Sequence, residues 1–285
     1  MQWISKSNIL IVGLGMIGGS YAQGLKHLGF HVSAITRSQS TIDYALENGI
    51  IDEGYSYVNE DCVRSADAVI FALYPKVFKA WIEENQHLFK PGIYITDVTG
   101  VKSCIIYDIQ AMLRPDVEFI AAHPMAGRET SGVTSADSRI FKEANFIVTP
   151  TAANTPEAIE WAKSLGRILG FRRISELTPE QHDEMIGFVS QLTHCIAVAL
   201  MTCNDNTHLV DYTGDSFRDL TRIANINDEM WSELFLLNKN QLIEQMDCFS
   251  AELGALREML VNDDREGLRE KMRLSTARRA LFNKK

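Results

Sequence analysis

Apolar positions change rhythm along this chain. Up to about residue 177 they gather into short, partly β-branched runs, and beyond it they recur at helical spacing. Ile9-Leu10-Ile11-Val12 is such a run, short enough for a buried strand, and others lie at 30–35, 65–73, 92–98, 117–122, 146–148 and 171–177. Helical stretches fall between them. One carries Tyr21, Ala22, Leu25 and Leu28 and stops at Gly29; another, 40–47, stops at Asn48-Gly49. A third opens at Pro75 and carries Val77, Phe78, Trp81 and Ile82, and a fourth is capped by Thr155, opened by Pro156 and closed by Gly170. Strands alternating with helices predict a doubly wound, mostly parallel sheet. Thr178-Pro179-Glu180-Gln181 is then a capping box. No strand is expected after it. A helix runs to about 203, a polar break covers 204–214, and a short helix spans 217–223. A long amphipathic helix covers 228–261, with Trp231, Leu234, Phe235, Leu242, Met246, Phe249, Leu253, Leu256 and Leu260 on its stripe, and a last helix covers 264–282. The chain divides into a sheet domain, 1–177, and an all-α domain, 178–285. So long a stripe in so small a helical domain predicts burial against a second copy, a homodimer.

The first run leads straight into Gly13-Leu14-Gly15-Met16-Ile17-Gly18 and a helix. Strand, G-x-G-x-x-G and helix together form a Rossmann-type dinucleotide site. Gly13 makes the turn, Gly15 admits a pyrophosphate, and Gly18 lets helix and strand pack, while amides at the helix start hold the phosphates. Sites for NAD usually end the second strand in a carboxylate, whereas here it ends in Thr36-Arg37-Ser38. A guanidinium and a hydroxyl suit a 2′-phosphate, so NADP is expected over NAD. The segments 13–18, 36–37, 74–75, 98–102 and 123–127 all fall at strand ends, where such sheets bind ligands, which adds Tyr74 to the cofactor site.

A composition of 46% hydrophobic and 23% charged residues is that of an ordinary globular protein. No apolar run approaches the roughly 20 residues of a membrane span. The N-terminus passes directly into the first strand, and no signal peptide is expected. Five cysteines without metal-ligand spacing fit reduced thiols and a cytoplasmic protein with no metal. A net charge of −9 argues against general nucleic-acid binding and requires local cations for any anionic substrate.

Those cations and a candidate base can be named. His123 follows a strand directly, held by Pro124, with Ala126-Gly127 leaving room for ligands and Arg128-Glu129 bordering the pocket. Ser190 and His194 lie four apart on one helical face, packed by Met185, Ile186, Val189 and Ile196. Arg218 and Arg222 are one turn apart, and Arg222, between Leu220 and Ile223, is expected to be partly buried and to clamp a carboxylate. Lys102 is either a further cation or the start of a helix.

The glycine loop, Asp97-Val98-Thr99-Gly100-Val101-Lys102, His123-Pro124-Met125-Ala126-Gly127, Ser190 with His194, and Phe217-Arg218-Asp219-Leu220-Thr221-Arg222-Ile223-Ala224 occur in that order. Together they resemble the prephenate/arogenate dehydrogenase family of tyrosine biosynthesis over nearly the whole chain. The resemblance implies oxidative decarboxylation of prephenate to 4-hydroxyphenylpyruvate, with hydride passing to NAD(P)+. It implies that His123 accepts the ring hydroxyl's proton, that Arg222 binds a carboxylate, that Ser190 and His194 line the pocket and that Glu129 gates it. His182-Asp183 also matches a family motif, of structural character. Family members often carry Asp-Val-Gly-Ser where this chain has Asp97-Val98-Thr99-Gly100, so either Thr99 supplies the hydroxyl or that contact is missing. Arogenate is the rival substrate. A β-hydroxyacid dehydrogenase, which would be expected to use a lysine base, and a non-catalytic nucleotide sensor are more distant readings.

Overall fold

In β1 (Asn8–Val12), Ile9 and Ile11 enter one apolar cluster while Leu10 and Val12 enter another. Successive strand residues face opposite ways, so a strand apolar throughout must be covered on both faces. The computed structural model describes residues 3, 7–128 and 130–282 and shows that covering. After β1 come α1 (Met16–His27), β2 (His31–Ile35), α2 (Gln39–Glu47), β3 (Glu53–Tyr55), α3 (Glu60–Ser65), β4 (Ala68–Phe71), α4 (Pro75–Asn85), β5 (Ile93–Asp97), α5 (Ile106–Met112) and β6 (Val117–Phe119). These strands form a six-stranded parallel sheet in the order β3-β2-β1-β4-β5-β6. β3 and α3 were not expected, because Glu53-Gly54-Tyr55 offers no apolar run.

The predicted strand at 117–122 is in fact two. The Ile120 amide donates to the Ile95 carbonyl at 3.0 Å, still within reach of the parallel sheet. From Ala121 the chain enters a second, three-stranded sheet of β7 (Ala121–Met125), β8 (Asn145–Thr149) and β9 (Arg173–Glu176), with α6 (Pro156–Ile168) between the last two. β7 and β8 run antiparallel and pair His123 with Ile147. His123 therefore lies within a strand of the small sheet, not just beyond a strand of the parallel one.

The predicted capping box opens α7 (Pro179–Ile186), which passes through a π-helical turn, Gly187–Leu192, into α8 (Thr193–Thr202). By length and composition this helix, Pro179–Thr202, is apolar enough to cross a membrane, contrary to the expectation from uninterrupted runs. Glu180, Asp183 and Glu184 stand at its start, and the stretch 185–202 holds no acidic residue, lysine or arginine; polar residues such as Gln191 and His194 are what interrupt the apolar run there. Then come α9 (Asp215–Thr221) and α10 (Asp228–Leu237). The long helix expected over 228–261 is broken at Asn238. Its buried carboxamide donates to the Asp183 carbonyl at 2.9 Å and to Gln191 Oε1 at 2.7 Å, holding the residue out of helical geometry at φ −113°, ψ 25°.

Met1–Asn238 forms one compact unit and Lys239–Lys285 a second. The second is a helical hairpin of α11 (Lys239–Val261) and α12 (Arg265–Ala280), turned at Asp263 with φ 52°, capped by Asp264 and tied by a Lys271–Glu252 ion pair.

Candidate active site

Two of the three loop glycines have steric reasons to be glycine. Gly13 has φ +96°, and a Cβ there would lie 2.3 Å from the Ala72 carbonyl oxygen. A Cβ on Gly18 would lie 2.0 Å from the Gly13 carbonyl oxygen. A Cβ on Gly15 would meet nothing within 4 Å, so the backbone before α1 is open to a ligand. That opening, with an α1 first turn free of acidic residues, fits a pyrophosphate. The Leu14 side chain belongs to the core, so only its backbone faces the loop, while Met16 and Ile17 are half-buried. Tyr74 is half-exposed as the cap residue of α4. At the end of β2, Thr36 donates its amide to the Tyr55 carbonyl and Arg37 is exposed. Ser38 does local work instead: its hydroxyl caps α2 by accepting from the Thr41 amide at 3.3 Å.

The segment after β5 anchors the chemical centre. Lys102 is fully buried, and its ammonium donates to Asp97 Oδ2 and to the Ala122 carbonyl, each at 2.7 Å. The Ala122 amide donates in turn to Asp97 Oδ1 at 3.2 Å. Both backbone groups of the residue before His123 are thus held by one buried ion pair. Burial pulls the Lys102 ammonium below the usual lysine range, with Asp97 opposing. Thr99 is turned into this cluster: its hydroxyl bonds Asp97 and accepts from Lys102 Nζ at 3.2 Å. The expectation that Thr99 supplies a substrate hydroxyl is therefore corrected. Gly100 is the residue beside His123, since a Cβ there would lie 3.9 Å from His123 Nε2 and 3.7 Å from Leu234 Cδ1.

On the other side of the ring, His123 Nδ1 is 2.9 Å from His182 Nε2, and His182 Nδ1 is 2.8 Å from Asp183 Oδ1. Asp183 also accepts from the amides of Lys102 and Ser103, each at 2.8 Å. Burial holds His123 well below the ordinary imidazole value, and His182 and Lys102 push the same way. Burial lowers His182 too, against the pull of Asp183. For Asp183 burial acts upward, but the His182 bond and the two amides outweigh it and keep the carboxyl below its usual range. The His123–His182 contact was not expected. A histidine next to an aspartate in the sequence shows neither which way the ring points nor what lies across from it.

The second expected cluster lies on α8 and α10. His194 Nδ1 meets the Ser190 carbonyl at 2.9 Å, and the His194 ring lies against Trp231, with centroids 3.7 Å apart. Trp231 and Leu234 are three apart on α10, so one helical face borders His194 and also the Gly100–His123 gap. Ser190 and His194 are both half-buried. Met185 and Val189 do not pack around them but are exposed at 44% and 49%. Arg222 opens a short 3-10 turn, Arg222–Ala224, that packs on α8, and its side chain is exposed rather than partly buried. Residues one or two apart on a helix do not share a face, and Leu220 is itself exposed, so these apolar neighbours do not carry Arg222 inward. Glu129 lies outside the described residues. Among the described residues no cluster has the make-up of a metal site.

A sequence model of the prephenate dehydrogenase nucleotide-binding domain matches residues 21–174, and one of the prephenate dehydrogenase dimerisation domain matches 178–274. The chain belongs to the prephenate dehydrogenase family. It is 30% identical to a prephenate dehydrogenase of Bacillus subtilis over 272 residues, covering 92% of this chain and 72% of that one. It is 29% identical to a cyclohexadienyl dehydrogenase of Zymomonas mobilis, with 92% of each chain covered. Among solved structures, a prephenate dehydrogenase from A. aeolicus in complex with hydroxyphenyl propionate and NAD+ superposes with a TM-score of 0.89 at 29% identity, over 99% of this chain and 100% of that chain. A dehydrogenase built on a nicotinamide-binding sheet is thereby established for this family member. The dimerisation match also contains the helix Pro179–Thr202, the segment of membrane-spanning length.

Proposed function

We propose that this chain is a prephenate dehydrogenase, converting prephenate to 4-hydroxyphenylpyruvate with loss of carbon dioxide. The observation that carries the reading is His123. It is a half-buried imidazole kept neutral by burial, with its Nε2 edge beside the side-chain-free Gly100. The loop of Gly13, Gly15 and Gly18 would hold the cofactor's pyrophosphate. When bound, the nicotinamide supplies the hydride acceptor. His123 Nε2 takes the proton of the ring hydroxyl as hydride leaves the carbon bearing it. The bond to the ring carboxylate then breaks, its electron pair aromatises the ring and comes to rest on the oxygen, and the proton held by His123 returns to that oxygen to give the phenol. Arg222 binds a substrate carboxylate, and His194 and Ser190 line the pocket with Trp231.

NADP is the preferred cofactor in this reading. β2 ends without a carboxylate, and the exposed Arg37 is available to a 2′-phosphate, whereas Ser38 is engaged as a helix cap. The functional unit is a homodimer. The dimerisation match and the exposed Phe188, Leu236, Phe249 and Leu253 support it.

An absorbance assay of NADPH and NADH formation, with prephenate and with arogenate, tests the reading. Prephenate should be oxidised with the higher kcat/KM, and His123→Asn should lower kcat by about 10²–10⁴ with cofactor affinity intact. Turnover of arogenate alone, or full activity in His123→Asn, would overturn it.

A further inference from the structure

We propose that His182 and Asp183 are positioning residues that fix the tautomer of His123 and leave its Nε2 as the proton acceptor. The inference rests on His123 being the proton-accepting group and deepens that reading. It follows from counting protons along the chain of contacts. Asp183 faces three nitrogen groups: His182 Nδ1 at 2.8 Å and the amides of Lys102 and Ser103 at 2.8 Å. Both amides donate, and an ionised carboxylate only accepts, so His182 Nδ1 carries the ring's proton. A neutral imidazole has one N–H, which leaves a lone pair on His182 Nε2. Across 2.9 Å that lone pair requires a donor, and His123 Nδ1 is the atom facing it. With its single proton on Nδ1, His123 presents an unprotonated Nε2 toward Gly100.

The surroundings favour this arrangement over its mirror image. Asp97 faces the pair from the end of β5, Lys102 from the segment after it and Asp183 from α7, and the Lys102 ammonium opposes a positive charge on either ring. Gly100 has no side chain with which to orient the imidazole from its other edge. Without a partner at Nδ1, a histidine samples both tautomers, and the form protonated on Nε2 cannot accept a proton there.

Histidine ring-nitrogen NMR on the full-length protein, paired with steady-state kinetics, separates this from a packing role. His123 in the wild type should be protonated on Nδ1. His182→Gln places a carboxamide oxygen about where Nε2 stood, so it should keep that tautomer and hold kcat within about fivefold of wild type. His182→Leu removes the acceptor. It should admit the Nε2-protonated form and lower kcat by about 10²-fold with the KM for prephenate little changed. Three results would overturn the proposal: Nε2 protonated in the wild type, an unchanged His123 tautomer in His182→Leu, or equal loss of kcat in the Gln and Leu variants. Should His182→Leu fail to fold, the wild-type and His182→Gln spectra still decide. A wild type that does not oxidise prephenate would sink the proposed function, while the same spectra would still decide the tautomer.

Discussion

His123 has to be neutral to accept a proton, and its surroundings favour neutrality below the ordinary imidazole pKa of about 6.5. The acid limb of kcat/KM for prephenate should therefore lie below 6.5, with activity retained as the pH falls through that value; a limb above it would mean that a different group titrates. The same shift sets a sign for stability. Unfolded His123 and His182 bind protons at higher pH than their folded forms, so the contribution of these rings is present above about 6.5 and is lost as the pH falls. Arg37 is the residue to change for cofactor choice. Arg37→Ala removes the one cation at the end of β2 and should lower kcat/KM for NADP by roughly tenfold or more, with little change for NAD, as read from initial rates with each cofactor. Equal losses with both cofactors would mean that Arg37 contacts a part they share.

β7 shows why a single strand could not be read as two. Its sequence, Ala-Ala-His-Pro-Met, continues the apolar run of β6, and nothing local marks the passage from the parallel to the antiparallel sheet at Ile120. What fixes β7 is distant in sequence, the Asp97–Lys102 pair gripping Ala122 from both sides. The glycine loop was legible because strand, turn and helix follow one another within a few residues, and so were the caps at Thr155 and Thr178. The break at Asn238 was not, since it depends on Asp183 and Gln191 on another helix. Thr99 illustrates the same limit within the site. Its residue type suggested a substrate hydroxyl, yet the fold spends that hydroxyl on a buried ion pair and puts Gly100 next to His123. The grip on β7 can be measured. Lys102→Ala leaves the Asp97 carboxylate buried and unpaired and should cost about 3–5 kcal/mol in chemical denaturation, whereas replacing both partners by apolar residues should cost less. If Lys102→Ala unfolds at the wild-type midpoint, the pair does not hold β7.

Across the whole molecule, large apolar side chains are exposed in both units. In the first unit, Phe188 and Leu236 are 55% and 71% exposed, and on α11 of the second, Phe249 and Leu253 are 37% and 58% exposed. Phe249 and Leu253 are four residues apart on one helical face, the stripe legible in the sequence as core-like spacing. Scattered single apolar residues are normal on a protein surface, but a stripe along a 23-residue helix implies a covering surface. The match of residues 178–274 to a dimerisation domain makes a second copy the natural cover. Sedimentation equilibrium should then return twice the 32.0 kDa chain mass, and the midpoint of thermal unfolding should rise with protein concentration, because association stabilises by mass action. Placing charges in the stripe with Phe249→Glu and Leu253→Glu should shift the equilibrium to monomer, since a carboxylate buried in an apolar interface has no partner. A dimer unaffected by both charges would show that copies associate through another surface and not through the Phe249–Leu253 stripe.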